Sequence, residues 1–102
     1  MPGWAPGAQL LIDATTARES VNRFWEEKHV LDGVGTALRD KLPAMQQPQG
    51  GRRLIVTEKG AIIAVDFINR AVLLLEPVPG SADLQWRCSG TPHTSMPPNC
   101  QK

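Results

Sequence analysis

The apolar positions of this chain change period once, near residue 52. Upstream, Val21, Phe24, Trp25, Lys28 and Leu31 recur at helical spacing, with the Lys28 stem able to lie along the stripe while its amine stays in water. Thr16-Ala-Arg-Glu19 fits a capping box that would start a helix at Thr16. The apolar run Leu10-Leu11-Ile12 equally allows a helix that begins upstream and contains Thr16, and the pattern does not separate the two starts. Gly33 and Gly35 each weaken a continuation by roughly 1 kcal/mol, so the helix is expected to end near Val30, with a second short helix over Thr36 to Leu42. Residues 1–8, with Pro2, Gly3, Pro6 and Gly7, read as an unstructured leader, and Pro43 to Gly51 as a linker of Pro, Gln and Gly.

Downstream the period becomes two. Leu54 to Thr57 predicts a strand, and Glu58-Lys-Gly60 a tight turn in which glycine supplies positive φ. Ala61 to Phe67 predicts a second strand, and Asn69-Arg70 a turn into a third, Ala71 to Leu75, stopped at Pro77. Pro77 to Ser81 reads as a loop, and Asp83 to Cys88 as a fourth strand that points Leu84, Trp86 and Cys88 to one face. Helix first, then a meander of antiparallel strands, is an α+β layout, with the helix stripe as the cover for the sheet. Trp25 and Trp86 read as core and Trp4 as an exposed leader residue.

Composition adds limits. With 102 residues the chain buries only about two thirds of its unfolded surface, so a covalent staple would help it. A net charge of +1 argues against a nucleic-acid binder driven by bulk charge, although a local basic patch escapes that count. No run of about 18 apolar residues occurs, and the first residues lack the charged and apolar regions of a signal peptide. The chain is therefore expected to be cytosolic, or a piece of something longer. Cys88 and Cys100 stand twelve positions apart in a segment rich in Ser, Gly, Thr and Pro. They are either a disulfide, worth about 3 kcal/mol in chain entropy, or two unrelated thiols.

Four features of the second half combine into a resemblance: Gly60-Ala-Ile62 after a turn, Leu75-Glu-Pro77 at a strand end, Trp86-Arg-Cys88 on the last strand and Pro98-Asn-Cys100 close to the C-terminus. Together with the element order, they resemble the globular head of type IV pilins. The match is good over residues 52–102 and loose over residues 9–51. The resemblance implies a leader over 1–8 and a pilin-like head over 9–102, in which an amphipathic helix packs on a four-stranded antiparallel meander. It also implies a Cys88–Cys100 disulfide that closes a surface loop. The implied role is a structural subunit of a surface filament serving attachment, motility or uptake, with no catalytic residue, cofactor or metal. Its partners would be other pilin subunits, and a host surface or DNA as ligand. The family's apolar N-terminal half-helix, which bears a glutamate and holds the subunit in the inner membrane and then in the filament, has no counterpart here. Residues 10–30 would match the amphipathic second half, and the anchor would have been removed by truncation or be missing from a short relative.

Other constellations of residues compete with this one. Cys88, His93 and Asn99, with His29 as another base, are the residue types of a thiol nucleophile, but Cys88 faces inward with no cation to lower its pKa. Two Cys and two His suit zinc by type and fit no finger spacing. Arg52, Arg53, Lys59, Arg70, Arg87, His93 and Lys102 would contact DNA phosphates or another partner if gathered on one face. The competing expectation is a solvated surface partly neutralised by Glu58, Asp66, Glu76 and Asp83. A free-standing binding module of the same fold that never polymerises is the alternative to the filament subunit.

Overall fold

A computed structural model describes residues 5–42, 45, 47, 50–79 and 83–101. Trp4, Lys102 and most of the expected linker lie outside them. Helix α1 spans Ala5–Lys28 and helix α2 Val34–Arg39. Strands β1 (Arg52–Val56), β2 (Ile62–Asp66), β3 (Ala71–Pro79) and β4 (Leu84–Thr91) follow in an antiparallel sheet of order β1-β2-β3-β4. Two single turns of 3-10 helix, His93–Ser95 and Pro98–Cys100, end the chain. The fold is α+β, as expected.

The upstream helix start is the one realised. Thr16 lies in mid-helix, where its hydroxyl donates to Ile12 O, and Thr15 does the same to Leu11 O at 2.7 Å, so the capping box is not used. Residues 5–8, expected in a leader, are helical. Pro6 falls in the first turn, where no intrahelical N–H bond is lost. The turn is also packed, since Gly7 is buried against the backbone of Ser95 and Met96. Tertiary contact thus outweighs the weak propensity of Pro and Gly. At the other end, His29 takes the left-handed conformation at φ 57 and its N–H bonds to Trp25 O, closing α1 just before Val30.

The helix face on the sheet is Leu10, Ala14, Ala17 and Val21, all fully buried. Its two alanines let the backbone lie close over the inward side chains Leu54, Ile62, Ala64, Leu73 and Leu75. Phe24, Trp25 and Leu31 pack at the margin and Lys28 is exposed, so the realised stripe runs one turn or more upstream of the expected one. Arg52 Nε donates to Asp13 Oδ2 at 2.8 Å and ties β1 to α1. Trp86 Nε1 donates to Asn22 Oδ1 at 3.0 Å and ties β4 to the helix 64 positions away in sequence.

Most strand limits differ from the sequence reading: β1 runs Arg52–Val56 rather than Leu54 to Thr57, β2 starts at Ile62 rather than Ala61 and β4 at Leu84 rather than Asp83, and three further shifts have a visible cause. Phe67 leaves β2 because the Asp66 carboxylate accepts from Ile68 N, Asn69 N and Asn69 Nδ2, which folds residues 67–70 into a turn with Arg70 at φ 52. β3 continues through Pro77 to Pro79. Beyond Leu75 only β4 accompanies it, and two prolines of the same parity remove donors on one side of the strand alone. β4 runs on past Cys88 to Thr91, paired as far as Val72↔Thr91.

Candidate functional site

The C-terminal segment is fixed by a disulfide, by packing and by a side-chain hydrogen bond. β4 is an edge strand, and after Thr91 the chain turns at a cis Thr91–Pro92 bond and returns along it. Cys88 on β4 is joined to Cys100 in the last 3-10 turn, with a Cα–Cα distance of 4.6 Å. Cys100 is fully buried. No free cysteine occurs among the described residues, so Cys88 offers no thiolate and cannot serve as the nucleophile beside His93 and Asn99.

Packing holds the same segment. Met96 is fully buried, and Pro97 is buried beside it. A side chain at Gly90 would run into Met96 Sδ, and one at Gly7 into Ser95 O. A glycine on the strand and a glycine on the helix thus shape the slot that Ser95 and Met96 fill. The loop from Ser89 to Asn99 has few large apolar residues, and Met96 packs it because both neighbours give it room. Gln101 Nε2 then donates to Met96 O at 2.9 Å and ties the last described residue back.

Between α1 and this loop lies a groove of about 700 Å³, floored by Leu75, Trp86 and the Cys88–Cys100 bridge and rimmed by Leu11, Arg18 and Asn99. Among the described residues no group of three or more Cys, His, Asp or Glu is placed to hold a metal ion, and no helix is long and apolar enough to cross a membrane.

The basic residues singled out by sequence do not form one cluster. Arg52 is engaged by Asp13, and Lys59 by Asp32. Arg53 on β1 and Arg87 on β4 both project to the sheet face away from the helix, at its two edges. Arg70 lies in the β2–β3 turn, and His93 in the C-terminal loop. Asp66, beside Arg52, is 5% exposed. Burial pushes its carboxyl up, but the bonds from Asn69 and Ile68, with the Arg52 charge behind them, outweigh this and hold it below the ordinary carboxylate range.

No family model, curated protein or solved structure matches this chain.

Proposed function

We propose that this chain is the globular head of a type IV pilin-like filament subunit, a structural role carried in an oxidising, surface-exposed setting. The observation that carries it is the Cys88–Cys100 bridge, which pins a C-terminal loop to the edge strand of a four-stranded meander that a long N-terminal helix covers. A disulfide of this kind persists outside reducing compartments. The helix supports the same reading. Leu10, Ala14, Ala17 and Val21 occupy the sheet-facing side, while Ile12 lies about 200° round from Leu10 and is 61% exposed. In a filament that far side of α1 packs against the helices of neighbouring subunits, and the disulfide-closed loop faces outward for attachment, motility or uptake. The subunit enters this assembly through an apolar segment ahead of Ala5, which also anchors it in the inner membrane before assembly.

The reading frame upstream of Met1 tests this. The expected result is about 20 apolar residues with an acidic residue among them, behind a short basic leader. A frame that opens at Met1, or a polar segment there, would overturn the proposal.

A further inference from the structure

The sheet has two apolar faces, and the described helices cover one. Ile55, Ile63, Val65, Val72 and Leu74 alternate with the buried positions of β1–β3 and project away from α1. The register makes them contiguous: Ile55↔Ile63↔Leu74 form one row and Val65↔Val72 the next. Phe67, in the turn that follows β2 with its N–H on Gly51 O, adds a 56% exposed ring at the margin. Both helices send their buried residues into the inward cluster. An antiparallel sheet with a solvated face ordinarily alternates apolar with polar, so a second apolar face calls for a partner.

Two charges say which partner. Arg53 stands two residues before Ile55 on β1, and Glu76 two residues beyond Leu74 on β3. β1 and β3 run in the same direction, and Ile63 pairs with both Ile55 and Leu74. Arg53 and Glu76 therefore sit at opposite diagonal corners of the patch with Ile63 at the midpoint. Both are exposed, and neither has an ion pair among the described residues.

The geometry points to a second copy of this chain as the occupant. A two-fold axis lying between two such faces and passing over Ile63, perpendicular to the diagonal, exchanges the corners. Each Arg53 then meets the other copy's Glu76, at both ends at once, while the aliphatic rows pack between them. The contact is isologous and closes as a dimer. Arg87, directly opposite Glu76 in the register, brings a second guanidinium to that corner. Three strands about 4.8 Å apart and five residues of about 3.4 Å each make a patch of a few hundred Å², below the size of a standard interface, so the association is weak. It uses the face away from α1 and stands independently of the filament reading.

Sedimentation velocity of the oxidised 102-residue chain over a concentration series tests this. The expected result is a monomer–dimer equilibrium. Arg53→Glu or Glu76→Arg alone weakens it about tenfold, since each substitution sets like charges together at both ends. The double exchange R53E/E76R restores it, and Leu74→Glu abolishes it. Both charge positions are exposed, so those variants keep the fold, which circular dichroism verifies. A chain that stays monomeric throughout leaves the face to a different partner and overturns the proposal. A dimer indifferent to the single reversals, or one not rescued by the exchange, overturns it as well.

Discussion

Met96 Sδ occupies the space that a side chain on Gly90 would need. The strand and the returning C-terminal segment are fitted to each other at this point. Gly90→Ala forces Met96 out of its slot and is expected to destabilise the fold by about 1–3 kcal/mol as an overpacked core. Met96→Ala leaves a cavity instead and costs about 2–5 kcal/mol. Urea denaturation of both variants checks the pair. Combining them should cost less than the sum, because the alanine at Gly90 then enters the space Met96 left.

The disulfide adds to this packing through the unfolded chain. With twelve positions between Cys88 and Cys100, its loss should cost about 3 kcal/mol. Cys88→Ser/Cys100→Ser is therefore expected to melt well below the parent, on the order of 10 °C or more for a chain of this size. If Met96 holds the segment as described, the reduced chain still keeps Met96 sequestered, and its oxidation by peroxide stays slower than in the Gly90→Ala variant.

Asp66 gives the fold an acid-sensitive element. Its folded-state carboxyl lies below the ordinary range despite the burial that opposes this, because Asn69, Ile68 and Arg52 favour the charged form. A carboxylate lowered on folding contributes stability that is fully present above its unfolded value, about 3.9, and is lost as pH falls through the folded one. Asp66→Asn is expected to be less stable than the parent at neutral pH, and the difference should shrink below about pH 4. Stability curves of the two proteins from neutral pH downward show whether the gap closes there.

Trp86 and Asn22 form a further test. Asn22→Leu leaves the indole N–H without its acceptor at the margin of the core, at a cost of about 1–3 kcal/mol. Trp86 fluorescence should also shift, since α1 and β4 lose the bond that sets their spacing.

The β-half of the fold was legible because its turns carry their own chemistry. Gly60 at φ 92 with its N–H on Thr57 O is the turn that Glu58-Lys-Gly60 announced. Cys88 and Cys100 are bonded as the pilin resemblance implied. The helix start was ambiguous because Thr16 carries a correct local capping signal, and only the contacts of Gly7 with residues 95–97, some 90 positions away, decide for Ala5. Pro77 ended a strand on paper because a proline is costly between two strands, and the pattern does not show that β2 has already stopped. The role of Met96 was hidden for the same reason: the two glycines that receive it are far apart in sequence. The second apolar face did have a signal. Ile62-Ile63-Ala64-Val65 is unbroken by any polar residue, which is the pattern of a strand covered on both sides.

The central claim, that this domain is the head of a surface filament subunit, is tested most directly by immunogold electron microscopy of the cells that make it, with an antibody raised against the oxidised domain. The account predicts gold particles along thin filaments outside the cell. Label confined to the cell interior, on cells whose filaments carry none, would contradict it.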